Sequence, residues 1–247
     1  MTGKLLLRGM IAGVVGGLMA FLFARLYGEP LVDFAIAFEE QASHAAGEAA
    51  EPELVSRATQ AGLGLLTGVI VYSAALGGIL SLVFALVLGR FSALGARPLA
   101  ALLALAGFVA VILVPAIKYP ANPPAVGSPE TIVIRTQLYF IMLMVSVAVM
   151  IVAFALARQT WARLGAWNAV LLGGLAYIAV MAAVMTLLPE INEVPETFSA
   201  VMLWRFRLAS LGLQAIIWGA QGLLFGFLAE RLLSGAAPQG ARRLGRA

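Results

Sequence analysis

Six stretches of this chain run for about twenty residues or more with almost no formal charge, and they limit the fold more than any other feature. They lie between Lys4 and Arg25 (broken only by Arg8), Arg57 and Arg90, Arg97 and Lys118, Arg135 and Arg158, Arg163 and Glu190, and Arg207 and Glu230. A bilayer core is ~30 Å thick, so a helix of roughly 20 apolar residues crosses it. The spacing therefore predicts an all-α polytopic membrane helix bundle of about six transmembrane helices in three hairpins. The expected spans are 5–26, 60–88, 98–117, 135–157, 166–188 and 207–229. The first resembles a signal sequence, with Lys4 and Arg8 ahead of an apolar run. It continues through Phe21, Leu22 and Phe23 without a small-residue cleavage site, so it is read as a retained span.

Composition closes off the soluble alternatives. Apolar residues make up 62% of the chain and charged residues 11%; soluble domains run nearer half and a quarter. The polar surface is too small to cover a soluble fold of this length. Cysteine is absent, which excludes disulfides and cysteine-ligated metal centres.

The net charge of +4 looks like a mild basic bias until it is sorted by side. With six crossings, the termini and the loops at 89–97 and 158–166 share one side. That side holds Lys4, Arg8, Arg90, Arg97, Arg158, Arg163, Arg231, Arg242, Arg243 and Arg246, with Glu230 as its only acid. The other side holds Arg25, Arg57, Lys118, Arg135, Arg205 and Arg207 against Glu29, Asp33, Glu39, Glu40, Glu48, Glu51, Glu53, Glu130, Glu190, Glu193 and Glu196. By the positive-inside rule the basic side is cytoplasmic, which predicts both termini inside and an acidic outer face. Residues 1–234 are expected to form a single integral membrane domain, followed by a basic, disordered cytoplasmic tail over 235–247.

Each returning helix begins near an arginine with a glutamine close by: Arg57 with Gln60, Arg135 with Gln137, Arg207 with Gln214. This is either a faint threefold hairpin repeat or the general tendency of helix ends to collect such residues. A cation at a helix N-terminus opposes the macrodipole, so outer-loop carboxylates are expected to neutralise some of these arginines. Gly9, Gly13 and Gly17, Gly64 and Gly68, and Gly222 and Gly226 recur every fourth residue, the pattern that lets membrane helices approach closely.

Chemistry is sparse. No ionisable residue lies in the middle of a span, which argues against a self-sufficient proton antiporter. No phosphate-binding G-x-x-x-x-G-K-[ST] loop, H-E-x-x-H or G-x-S-x-G motif occurs, and the reading is that the chain is not an enzyme and carries no cofactor. The first outer segment is the most chemical. Asp33, Glu40, His44 and Glu48 would share one face if 31–48 is helical, with Leu31, Phe34, Ala35 and Phe38 as an apolar stripe resting on the membrane surface. Imidazole and carboxylate one turn apart can hold a divalent transition ion; the alternative is a solvated acidic face with an incidental histidine. The second outer loop, Lys118 to Glu130, carries four prolines and Asn122; the third carries Glu190, Asn192 and Glu193. These could line a cation route, or the loops could be structural caps. Met181 and Met185 lie one turn apart, a spacing that reads as packing.

Several strings resemble the CbtA family of predicted bacterial cobalt transporter subunits, over essentially Leu5 to Arg231. They include Gly28-Glu29-Pro30 with Asp33 and Glu39, Val55-Ser56-Arg57 with Gln60, and K-Y-P-A-N-P-P from Lys118 to Pro124. Others are Arg135-Thr136-Gln137-Leu138-Tyr139, Leu164-Gly165-Ala166-Trp167-Asn168, L-P-E-x-N-E-V-P from Leu188 to Pro195, and Trp204-Arg205-Phe206-Arg207. The resemblance implies uptake of cobalt as substrate, for cobalamin biosynthesis, through the bacterial cytoplasmic membrane, beside a small single-span His-rich partner, CbtB. Two departures stand out. Relatives look His-rich in the first outer loop where this chain has only His44, and the family is described with five spans where the charge partition requires six. A second expectation is a substrate-capture subunit for a corrinoid or related vitamin, working with a separate energising module; a third is a non-transporting scaffold.

Overall fold

The computed structural model describes residues 1–47, 54–90, 93–124 and 126–235. These residues form helices joined by short connections. We number them α1 (Thr2–Phe23), α2 (Glu29–Ala46), α3 (Arg57–Val87), α4 (Ala96–Lys118), α5 (Ile132–Leu187) and α6 (Ala200–Gly235). A π-helical turn, Ala24–Gly28, joins α1 to α2. Similar turns interrupt α3 at Gln60–Gly64, α4 at Phe108–Leu113 and α6 at Gln221–Phe225. Among the described residues five continuous helices are long and apolar enough to cross a membrane, with α1 and α2 counting as one. The all-α membrane class expected from the charge-free stretches is therefore what the chain adopts.

The five include one helix that is really two. α5 contains 56 residues and would be ~84 Å long if straight, far more than one bilayer needs. Gly165 lies inside it at φ 76°, ψ 165°, a left-handed conformation that stops a helix and that glycine adopts without steric cost. The chain folds back there. Tyr177 and Ser146 hydroxyls meet at 2.7 Å, Met181 packs with Met142, and a side chain on Gly173 would fall 2.8 Å from the Ala153 carbonyl oxygen. Residues ascending one arm thus face residues descending the other, as in an antiparallel hairpin.

The chain divides into two compact units. The first comprises Met1–Arg25, Glu53–Leu105 and Leu213–Ala247. Its centre is the contact of α1 with α3. A methyl on Gly9 would fall on the Gly77 carbonyl, and one on Gly13 on the Ser73 carbonyl; one on Gly17 would lie 3.1 Å from Ile70 Cα. This approach lets the Ser73 hydroxyl donate to the Gly13 carbonyl at 2.7 Å. Gln221, fully buried, donates in turn to the Ser73 carbonyl at 2.9 Å. Gly222 and Gly226 press on Ala104 and on Arg97 and Ala100 in the same way. Gly64 and Gly68, expected to do likewise, do not: Gly68 faces open space, and Gly64 meets only its own helix. Arg8 reaches the Leu228 carbonyl and Arg97 pairs with Glu230 at 2.6 Å.

The second unit comprises Leu26–Pro52 and Ala106–Gly212. One cluster joins Val114, Met142, Ala153, Tyr177 and Met181, with Met185 against it, so the methionine pair is packing as expected. The other joins Ala35, Val126, Phe198 and Leu203. The α2 stripe meets protein over part of its width: Ala35 is fully covered, and Phe34 and Phe38 stack edge-on against Phe198 at 6.0 and 5.0 Å, while Phe34 stays partly exposed. The apolar face was legible; over that part its partner is protein.

Replacing Gly13 by leucine should force α1 from α3 and cost ~1–3 kcal/mol, as overpacking does. The same change at Gly68, which meets nothing, should leave thermal unfolding in detergent within about 0.5 kcal/mol of wild type.

Candidate functional site

Three connections of the second unit converge on one cavity of about 910 Å³. The proline loop supplies Tyr119, Asn122 and Pro123; the first turns of α5 supply Arg135, Thr136 and Tyr139; the loop after α5 supplies Asn192, Glu193 and Pro195. Arg207 of α6 and the α2 residues Phe38, Glu39 and Ser43 complete the wall.

Local chemistry explains how these segments stay together. Prolines stiffen the 118–124 loop and remove amide donors. The Tyr119 hydroxyl donates to the Pro189 carbonyl at 2.9 Å, which ties that loop to the one after α5. Burial pushes its phenol pKa up, so it stays a protonated donor. Lys118 lies 3.9 Å from Glu190 in a loose pair, the carboxylate being almost wholly exposed. The tighter link is Glu193. It accepts from the Ser128 amide at 2.9 Å and lies 3.4 Å from Arg135 Nε, with its side chain largely covered. Its carboxyl is held below the usual carboxylate range, first by the Thr131 hydroxyl, then by the Ser128 amide and the Arg135 cation, against partial desolvation. Gly127 sits at φ 131°, and a Cβ there would collide with the Arg135 guanidinium. Only glycine lets that head group settle beside the loop. Arg207 donates through Nη2 to Asn122 Oδ1 at 2.9 Å, while its Nε is buried with no hydrogen-bond partner.

The residues proposed from sequence as metal ligands separate into two groups. Asn122, Asn192 and Glu193 line the cavity, with Glu190 beside them on the same loop. Asn122 and Glu193 are already engaged by arginines, and Asn192 Oδ1 accepts from its neighbour Val194 at 3.4 Å. Asp33, Glu40 and His44 lie elsewhere, on the exposed side of α2, away from the stripe that meets Phe198. Glu48 lies outside the described residues, as does the tail beyond Gly235. Among the described residues no three of His, Asp or Glu come close enough to hold one metal ion together. Sequence reasoning missed Arg135, Arg207, Tyr119, Tyr139 and Glu39 as wall residues. The signal was present, since every one lies in a string that carried the family resemblance.

Long apolar helices with a cavity of mixed lining among their connections place the chain in the multi-pass membrane class. The model of the CbtA family, described as probable cobalt transporter subunit, matches residues 2–230. The chain belongs to that family. No curated protein and no solved structure matches it.

The Glu193 clasp has a pH signature. Its depressed pKa means that its stabilisation is complete above the ordinary carboxylate value and is lost as pH falls through the lower folded value. Thermal unfolding scans in detergent should show the wild type several degrees above Glu193→Gln at neutral pH, with the gap closing on strong acidification. A constant gap down to pH 3 would contradict this.

Proposed function

We propose that the chain carries cobalt inward across a bacterial cytoplasmic membrane, as the multi-span subunit beside a small single-span His-rich CbtB-like partner. The observation that carries this reading is the convergence of the family's most unusual strings on one cavity. K-Y-P-A-N-P-P, R-T-Q-L-Y, L-P-E-x-N-E-V-P and W-R-F-R each contribute wall residues. Convergence of these distant segments on one wall is the arrangement that a shared ligand path needs.

In this reading the chain crosses six times as one integral membrane domain with both termini inside, the two arms of α5 crossing separately. The loops bearing Asn122, Glu190, Asn192 and Glu193 then lie outside, under the acidic face. Asp33, Glu40 and His44 form a loose capture face along the solvent side of α2, and Glu48, outside the described residues, is counted with them as a ligand. One histidine among carboxylates gives weak, exchangeable binding to divalent ions, which suits capture followed by release. An inside-negative potential contributes about 2.3 kcal/mol per charge per 100 mV, so a divalent cation gains about twice that without ATP.

The alternative, capture of a corrinoid or related vitamin for a separate energising module, draws support from the cavity's size, which exceeds what one ion needs. Purified protein that retains a coloured corrinoid would favour it.

Two measurements test the reading. Cells expressing the chain with its partner should accumulate ⁵⁷Co several-fold over empty-vector cells, and Glu40→Gln with His44→Asn should lower uptake at limiting cobalt. Accumulation equal to the control rejects the permease. Reporter fusions at either terminus and at Gly165 should all report the cytoplasm; a periplasmic signal at Gly165 would remove two crossings.

A further inference from the structure

We propose that the cavity of the second unit binds a small polycarboxylate, free or as the chelate of a divalent metal, with Arg207 as its anchor. The choice of cobalt as the metal rests on the transport reading above; the anion site does not.

Charge is the first argument. Arg135 and Arg207 both face the cavity. Arg135 is balanced by Glu193. Arg207 has the neutral amide of Asn122 on Nη2, no partner on Nε, and no carboxylate within ion-pair reach among the described residues. A guanidinium presents five donors in a planar fork suited to a bidentate carboxylate. A half-buried guanidinium whose Nε is covered and has no anion beside it is a state suited to receiving one. The same two cations repel a bare divalent ion, and the oxygens of Glu193 and Asn122 nearest them are engaged by arginines, which leaves Glu39 at the α2 side as the wall's unengaged carboxylate.

Size is the second argument. Six waters around a metal ion fill roughly 180 Å³, whereas the cavity is about 910 Å³. Its walls are mixed: Tyr139, Thr136 and Asn192 offer neutral polar groups among prolines and Val126. That suits an organic anion of several carbons better than a hydrated cation. Glu39, exposed on the α2 side of the wall, is available to the cationic centre of a chelate. A carboxylate chelate carries both signs and meets both groups, which a bare ion cannot do.

The test uses the full-length protein in phosphatidylethanolamine–phosphatidylglycerol nanodiscs, with [¹⁴C]citrate as probe in the presence and absence of cobalt. Wild type should bind citrate saturably. Arg207→Gln should weaken binding at least tenfold and Arg207→Lys by less. Asn122→Ala, which frees Nη2, should strengthen it a few-fold. A merely structural role would weaken binding in Arg207→Gln and Asn122→Ala alike. Retention of ⁵⁷Co that requires citrate assigns the chelate as ligand; citrate binding indifferent to cobalt assigns the free anion. Citrate retained no better than by empty nanodiscs, or equally by wild type and Arg207→Gln, or lost in Asn122→Ala, overturns the proposal. Citrate binding by a protein that fails to raise cellular cobalt would overturn the transport reading alone.

Discussion

Hydrocarbon supplies no hydrogen bonds and no hydrophobic force between helices, and the first unit is built around both deficits. Every backbone group must be satisfied within the protein, and helices can adhere only by close packing and a few internal polar contacts. Glycine at 9, 13 and 17 brings α1 so near α3 that the serine and glycine backbones touch. That proximity is what allows Ser73 to reach the Gly13 carbonyl, and Gln221 to reach Ser73 in turn. The polar links are thus consequences of the small residues. Filling one glycine would break a hydrogen-bond chain as well as a steric fit.

In the second unit the governing problem is charge at helix starts. Arg135 lies in the first turn of α5, where the macrodipole disfavours a cation. The solution is to bring a carboxylate from another loop. Glu193 does this and, by accepting the Ser128 amide as well, fastens the proline loop to the loop after α5. Lys118, at the C-terminal end of α4 where the macrodipole favours a cation, pairs only loosely with Glu190, and Arg207 meets the neutral amide of Asn122. Neutralising the start of α5 and fastening this part of the cavity wall are therefore one event.

Charge and periodicity made the membrane class, the hairpin turn near residue 165 and the apolar face of α2 legible before any coordinates. The family string Leu164-Gly165-Ala166 falls where the left-handed residue reverses the chain. What stayed hidden was partnership. Nothing along residues 31–38 says whether an amphipathic face meets lipid or Phe198, because both are apolar. Likewise Glu193 reads as a ligand in isolation, since a carboxylate that clasps an arginine and one that clasps a metal are the same residue until the arginine is located. Arg135 was anticipated as needing a carboxylate, but which one required the fold. The close approach of Gly77 was missed for a related reason: the four-residue pattern at 64 and 68 was the more regular signal, yet the contact with α1 falls a few turns further along.

Occupied ligands carry the most weight for mechanism. An oxygen held by a guanidinium binds a cation less well, because one acceptor direction is taken and the neighbouring positive charge repels the ion. Around this cavity the strongest acceptor, Glu193, is also the most firmly held, and its lowered pKa reflects the same contacts. The groups with capacity to spare differ in kind and place: donors on Arg207 within the wall, and acceptors on Glu40 and His44 along the exposed side of α2. A path using both would take the metal first on weak oxygen and imidazole ligands, then move it into a space whose open valence suits an anion. In that space a companion carboxylate supplies the negative charge that the pinned side chains do not, and the inward pull of the potential acts on the metal once it leaves that anion.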